Sequence, residues 1–442
     1  MLKTLTLKNF KSYREATLPI APLTVLVGAN ASGKSNLIEA LQLLSFLAAR
    51  NPLSNLPKEK IIRGMNADMF QNGVDKLEFT CEMDTPDLNR APLNITSASL
   101  SMGLEMRHDE LHIAYEELYA MRNNGKLDLY GHIRNPQGST NNITMWFANF
   151  ARGGTKPHIT CNDQTPVFTQ LNSQAAFGMG YDESAKHITP LAGAYAEVLS
   201  SIAILDAVPA RMREFSHPRE QRKQLDPDAK NISAVLYNLC KNSTENEQHI
   251  FNFIKSLPEQ DVLGLDFLED PLGRVMMRAV ESFGGEKKYY PATLLSDGTL
   301  RILAIATMLL SAKKGNLVVI EEIDNGLHPS RARHLLEQII LLGRERNLRI
   351  LISTHNPALL DALPDSAVDD TIFCYRDKNG GDSRLVRIAD IPHYPELILQ
   401  GSFGHLVTQG MLDRFVKNPR SEEERDMLFT QWLNELKKGT GV

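Results

Sequence analysis

The eight residues Gly28-Ala29-Asn30-Ala31-Ser32-Gly33-Lys34-Ser35 limit the possible folds more than any other stretch. They match G-x-x-x-x-G-K-[ST] in full. Glycines let the backbone turn so that successive N–H groups face one concavity, and a helix starting just after the loop adds its dipole. The flanks agree. Leu23-Thr24-Val25-Leu26-Val27 is short and apolar, the pattern of a strand buried on both faces. Beyond the loop, Leu37, Ile38, Leu41, Leu44 and Leu47 recur at helical spacing. Strand, loop and helix in that order call for an α/β fold around a mostly parallel sheet. On this reading Asn30, Ala31, Ser32, Gly33 and Asn36 belong to a phosphate cradle for ATP. Lys34 reaches the β- and γ-phosphates, and the Ser35 hydroxyl ligates Mg²⁺.

The stretch from Leu294 to His328 supplies the rest of the chemistry. Val318-Val319-Ile320 ends in Glu321-Glu322. The first carboxylate is expected to hold a Mg²⁺-bound water, and the second to orient and deprotonate an attacking water. Two solvated acids at a strand end is the plain alternative; the loop upstream and the histidine downstream argue against it. Most phosphate-loop proteins have Asp at the first position, so Glu321 is one methylene longer. Ser296-Asp297-Gly298 opens a mostly apolar helix about twenty residues before that strand. A hydroxyl and an N–H at a helix start suit a γ-phosphate, although the same residues make an ordinary helix cap. His355 follows the apolar run Ile350–Ser353 and is placed to donate to a γ-phosphate and sense its loss.

Composition narrows the class. A chain of 442 residues accommodates two or three lobes. A net charge of -5 gives no global drive toward nucleic acid or anionic membrane. Cys81, Cys161, Cys240 and Cys374 lie far apart, which argues against a zinc knuckle or disulfide framework and suits a reducing compartment. Apolar runs such as Ile302–Leu310 fall short of the roughly 20 residues a membrane span needs. The first residues alternate like a strand ending at Phe10 and do not resemble a signal peptide. A cytoplasmic protein without membrane contact is expected.

Along the chain, residues 76–83 and about 97–130 read as antiparallel strands, with a turn at Asn123-Asn124-Gly125. Residues 131–190 are polar and show no clear period. Helical patterns return over 191–256. Residues 317–322 and 349–353 read as central strands, with an amphipathic helix at 330–346 between them. The tail after about 395 reads as helical. Arg211, Arg213, Arg219, Arg222 and Lys223 form a basic patch interleaved with Glu214 and Glu220 and followed by Asp226 and Asp228. A solvated face is the preferred reading over a nucleic-acid contact.

Leu7-Lys8-Asn9-Phe10-Lys11-Ser12-Tyr13, together with Val27–Asn30 and Gly33–Leu37, resembles the opening of the SMC/RecF/OLD group of ABC-type ATPases. Leu295–Arg301, Ile320–Pro329 and Ser353–Pro357 resemble the stand-alone OLD/RecF-like, AAA-type ATPases of bacterial anti-phage defence. Ile61-Ile62-Arg63-Gly64 followed by Lys76–Glu82 resembles the arginine-bearing segment of the group's first lobe, and Leu225–Leu239 a segment preceding a helix. The likeness covers residues 1–130 and 195–410.

It implies an α/β fold: a P-loop ABC-type ATPase head with a mixed central sheet, an antiparallel β side lobe and a helical signature lobe. The implied divisions are 1–130 (core first half), 131–290 (insert and helical lobe), 291–395 (core second half) and 396–442 (helical tail). By resemblance, Ser296 and Gly298 act on the ATP of a partner copy in a homodimer. Glu322 is the catalytic base and His355 the switch histidine. Asn325–His328 form the D-loop, Lys11 and Ser12 line the nucleotide, and Gln71 is the candidate Q-loop glutamine at the metal. The chain departs from the pattern with Ser-Asp-Gly-Thr for Ser-Gly-Gly-Gln and with His328 for Asp. It has no long coiled-coil arm, and no cluster of Asp-x-Asp with an upstream Glu of the kind a Toprim nuclease domain needs. The function implied is an ATP-hydrolysing, dimer-dependent switch controlling a separate effector, a nuclease or toxin. A RecF-like repair ATPase that clamps DNA and a non-hydrolysing, ATP-glued scaffold are the rivals.

Overall fold

The computed structural model describes residues 1–71, 73–84, 95–123, 125–133, 141–150, 154–218, 224–255, 262–283, 285–324, 331–391 and 401–417. Strand β3 (Leu23–Val27) lies inside a six-stranded sheet. Its companions are β10 (Ala203–Leu205), β14 (Leu317–Ile320), β15 (Arg349–Thr354), β16 (Ile372–Arg376) and β17 (Ser383–Arg387), in the order β10-β14-β15-β3-β16-β17. The first five run parallel and β17 is antiparallel, so the sheet is mixed. Strands β3 and β14 are apolar at nearly every position because both faces are covered. Leu26, Val319 and Leu351 join the core on one side with helix Lys34–Ala48. Val25, Val27, Val318, Ile320, Ile350 and Ile352 join the core on the other, with helices Asp297–Ser311 and Ala332–Glu345.

Register decides where a site can be. Val27 pairs with Thr354, Ile352 with Ile320, and Ile320 with Leu205. The residues that follow these strand ends, Gly28, His355, Glu321 and Asp206, therefore emerge on one edge of the sheet. That carboxyl edge is where open α/β sheets bind ligands.

A second, antiparallel sheet covers the other side of helix Lys34–Ala48. It contains β1 (Leu2–Phe10), β2 (Tyr13–Pro19), β4 (Lys76–Asp84), β5 (Ile95–Arg107), β6 (Glu110–Arg122), β7 (Gly125–His132), β8 (Asn142–Phe147) and β9 (His158–Asn162). The division expected at residue 130 falls inside this sheet: β7 continues to β8 and β9 without a break. The span read as having no period thus holds two strands. Each is too short, at five or six residues, for alternation to stand out. It also holds the first part of helix Asp182–Ser200, whose Tyr195 hydroxyl donates to the Cys81 carbonyl at 3.0 Å.

The lobe bearing Ser296 is not purely helical. Helices Ile232–Asn242 and Thr244–Ile254 pack with a three-stranded sheet of β11 (Val262–Glu269), β12 (Val275–Phe283) and β13 (Glu286–Pro291). Helix Asp297–Ser311 then runs through the core with Leu300 and Ile302–Leu310 buried, which explains its apolar character on every face. In the tail, helices Phe403–Thr408 and Met411–Lys417 agree with the helical reading, and residues 418–442 lie outside the described ones. The four cysteines are free.

Candidate active site

The loop's glycines are required by contact as well as by conformation. Gly33 has φ of +120°, and a Cβ there would meet Ser383 Oγ at 2.4 Å. A Cβ on Gly28 would meet the Cys374 carbonyl at 2.1 Å. Strands β16 and β17 thus press on the back of the loop, and together with Tyr13 of the strand Tyr13–Pro19 they also hold it. Arg376 Nε donates to the Ala31 carbonyl at 2.9 Å, Cys374 Sγ to the Ser32 carbonyl at 3.2 Å, and Tyr13 OH to the Gly33 carbonyl at 3.1 Å. Ser383 Oγ lies 2.5 Å from the Ser32 carbonyl. A peptide plane that turns its carbonyl one way turns its N–H the other. The N–H groups of Gly33 and Lys34 therefore face away from this backing, as a phosphate cradle needs.

Lys34 Nζ curls over the loop and donates to the carbonyls of Gly28 at 2.5 Å and Ala29 at 3.0 Å. Burial lowers its pKa, while Cys374, Glu322 and Asp324 oppose that shift. The lysine thus lies within electrostatic reach of the acidic residues beyond β14. The structure places the Ser35 hydroxyl where it acts on the Glu321 carboxylate. Burial is the main cause that raises the Glu321 pKa; Asp206 and Glu322 add to it, and Arg63 and Ser35 pull it down. Glu322 has φ of +46°, and its N–H donates to Ser353 Oγ at 2.9 Å. The side chain of His355 is half exposed, with Nδ1 3.4 Å from Asp324 Oδ2.

Lys11 and Ser12 are placed behind the loop. The Lys11 ammonium is buried against Glu39 and donates to the Arg63 carbonyl at 3.0 Å. Ser12 Oγ accepts from Asn36 Nδ2 at 2.7 Å and lies 2.7 Å from Ser383 Oγ. Three residues expected to line the nucleotide, Lys11, Ser12 and Asn36, thus have polar ends engaged in supporting contacts. Gln71 pairs through its backbone, donating to the Asn9 carbonyl at 3.0 Å. Among the described residues, no hydrogen bond joins its side chain to Ser35 or Glu321. Ser296 caps helix Asp297–Ser311, its Oγ accepting from Thr299 N at 3.1 Å and lying 2.8 Å from Thr299 Oγ1. No hydrogen bond or ion pair among the described residues joins Ser296 or Gly298 to the P-loop. Asn325–His328 lie outside the described residues.

Two carboxylates escaped the sequence reading. Asp324 is buried, and its Oδ1 has no partner. Its signal was a third acid one turn beyond Glu321. Glu39, 3% exposed, sits on the apolar face of helix Lys34–Ala48, four residues past Ser35. Within the basic patch, Arg211 pairs with Asp228 at 2.6 Å, and Arg213 with Asp297 at 2.6 Å. Arg219, Arg222 and Lys223 lie outside the described residues.

Hard oxygen donors, the Ser35 hydroxyl and the Glu321 carboxylate, with surplus negative charge from Asp206 and Glu322, fit a Mg²⁺ ion that keeps most of its waters. No group of three metal-ligating side chains occurs among the described residues, and a Mg²⁺ shared with phosphate oxygens does not require one.

Residues 1–140 match the family described as "AAA ATPase domain", and residues 188–361 match "AAA domain, putative AbiEii toxin, Type IV TA system". The DNA replication and repair protein RecF of Cyanothece sp. is 41% identical over 96 residues, covering 22% of each chain. An OLD nuclease of Thermus scotoductus is 43% identical over 373 residues, covering 82% of this chain and 60% of the nuclease. Together these matches support an SMC/RecF/OLD-type ATPase. Another relative in this comparison, an ATP/GTP phosphatase of Helicobacter pylori, is 21% identical over 397 residues, covering 86% of this chain and 91% of the phosphatase. The SMC/RecF/OLD-type head described here spans about a fifth of the length of the RecF relatives it matches first. No described helix is long and apolar enough to cross a membrane.

Proposed function

We propose that this SMC/RecF/OLD-type ATPase binds and hydrolyses ATP with Mg²⁺ and works as a dimer-dependent conformational switch over a separate effector in anti-phage defence. The observation that carries the chemistry is the strand register that brings the P-loop, with Lys34 and Ser35, and Glu321 to one carboxyl edge of the sheet. Ser35 and Glu321 would hold Mg²⁺, which neutralises phosphate charge when bound. Lys34 would exchange the Gly28 and Ala29 carbonyls for phosphate oxygens. Glu322 would accept a proton from the attacking water, and His355 would donate toward the terminal phosphate. Ser296 and Gly298 would serve the partner copy's nucleotide, in keeping with the absence, among the described residues, of any hydrogen bond or ion pair between them and this chain's own loop.

The effector is proposed to be a nuclease or toxin. The match to an OLD nuclease supports the first class, and the described residues hold no three-ligand metal cluster of their own. Phosphate release from ATP with and without Mg²⁺, paired with sedimentation in ATP and in ADP, tests the reading. Assembly in ATP that reverses on hydrolysis is the expected result; a wild-type protein that binds no nucleotide would end it. The local identity to RecF favours one alternative, direct clamping of DNA. Salt-sensitive, ATP-dependent DNA binding by the protein alone would select it.

A further inference from the structure

Two short helices, separated in the chain, meet just beyond His355. Helix Pro357–Asp361 begins two residues after the histidine. The Asn356 side chain caps it, accepting from Ala358 N at 2.9 Å, and Asn356 N donates to Thr354 Oγ1 at 3.1 Å. His355 thus stands in a hydrogen-bonded turn between the end of β15 and this helix. Its half-exposed ring meets Asp324 at 3.4 Å, and the turn sets where that ring starts from.

Helix Phe403–Thr408, from the tail, locks onto the same point. Asp361 closes the first helix and reaches the start of the tail helix with both oxygens. Oδ1 accepts from Gly404 N at 2.6 Å, and Oδ2 from Ser402 Oγ at 3.1 Å. A carboxylate suits a helix start, where N–H groups lack helical partners and the dipole is positive. At the other end of the first helix, Gly404 lies directly on Pro357. A Cβ on Gly404 would overlap the Pro357 carbonyl oxygen and stand 2.8 Å from its carbon. Backbone cannot swing aside as a side chain can, so only glycine allows this approach. Leu359, Leu360, Phe403 and Leu406 are buried in the same core.

We propose that the tail helix positions the histidine: Gly404 and Asp361 clamp helix Pro357–Asp361 at its two ends, and the clamp sets the place of His355 at the carboxyl edge of the sheet. Both are positioning residues, acting through the backbone of residues 354–357 and not on the nucleotide. Lifting the tail helix would free this turn and slow hydrolysis without opening the phosphate loop, which is backed by β16 and β17. The inference rests on the proposed role of His355 and adds what holds that residue in place.

A double-mutant cycle tests it. Single-turnover phosphate release and ATP affinity are measured for the wild type, Gly404→Ala, His355→Gln and the pair. A methyl group at position 404 must push Pro357 back, so Gly404→Ala should slow release about fivefold to fiftyfold. ATP affinity should stay within about twofold, because Lys34 and its loop are untouched. With His355 already Gln, the same substitution should cost less than about twofold. Equal losses in both backgrounds, or full-rate release by Gly404→Ala, would overturn the proposal. Should Gly404→Ala fail to fold, Asp361→Asn takes its place in the cycle. Loss of one acceptor at the tail helix start should slow release only where His355 is present, and equal losses would again overturn the clamp. A full-rate His355→Gln would defeat the role of His355 itself; a slowed His355→Gln beside a full-rate Gly404→Ala would defeat only this inference.

Discussion

Two residues test the chemistry most directly. Glu322 sits in a left-handed backbone conformation with its N–H tied to Ser353, so its carboxylate is held beyond the strand end. Replacement by Gln keeps shape and removes the base. Turnover should fall roughly 10²- to 10⁴-fold while ATP binding survives; unchanged phosphate release would take Glu322 out of the mechanism. Gly33→Ala should act earlier. Its φ of +120° and the 2.4 Å approach of Ser383 Oγ leave no room for a methyl group. The loop would have to leave its backing of β16 and β17. Nucleotide affinity, read by equilibrium titration, should drop at least about tenfold, with a smaller loss in thermal stability.

At the scale of elements, Glu116 on β6 shows how the antiparallel lobe is locked. Fully buried, it accepts from Tyr130 OH at 2.6 Å and from the N–H groups of Val167 and Phe168 at 2.7 Å each. Glu116→Gln would turn an amide N–H₂ toward one of these donors, and should cost about 2–4 kcal/mol in urea unfolding. Burial nonetheless outweighs the three donors and pushes this carboxyl up to about 7. The sign follows. The folded state keeps the proton to higher pH than the unfolded chain, whose carboxyl titrates near about 4.3. The group's contribution is therefore greatest below that value and declines as pH rises toward 7. Comparing the wild type with Glu116→Gln at pH 5 and pH 8 should show a smaller gap at pH 8; a larger gap would contradict this.

None of this lobe's locking was legible in the sequence, because Glu116 meets Val167 and Phe168 across about fifty residues of intervening chain. Local signals served better. The strand, loop and helix at 23–48 were readable because each carries its own period or its own glycines. Strand β10 was not, being three residues long and defined only by its pairing with β14. Strand β11 was hidden because its alternation is diluted by half-exposed positions. Within the site, Lys34, Ser35 and Glu321 could be found by spacing. The supporting places of Lys11, Ser12 and Asn36 could not, since they depend on Glu39, Arg63 and Ser383 arriving from distant segments.

At the scale of the whole molecule, the two halves of the proposed chemistry sit on different lobes. Lys34, Ser35 and Glu321 lie at the carboxyl edge of the central sheet. Ser296 and Gly298 lie at the start of a helix whose body is buried in the second core. The Ser296 hydroxyl caps that helix through a lone pair, accepting from Thr299 N. A helix start with an exposed serine and an Arg213-clamped Asp297 is a rigid surface feature. If it serves a partner copy's nucleotide, the defect of each half must be repairable by the other chain. Lys34→Ala and Ser296→Ala proteins should each be inactive alone. Mixed in equal amounts, half of the dimers are mixed. Each mixed dimer has one composite site in which both the lysine and the serine are intact. Phosphate release should therefore return to about a quarter of the wild-type rate if the sites act independently. Recovery that depends on total concentration would confirm assembly as the route, whereas no recovery at any ratio would place both residues at one chain's own site.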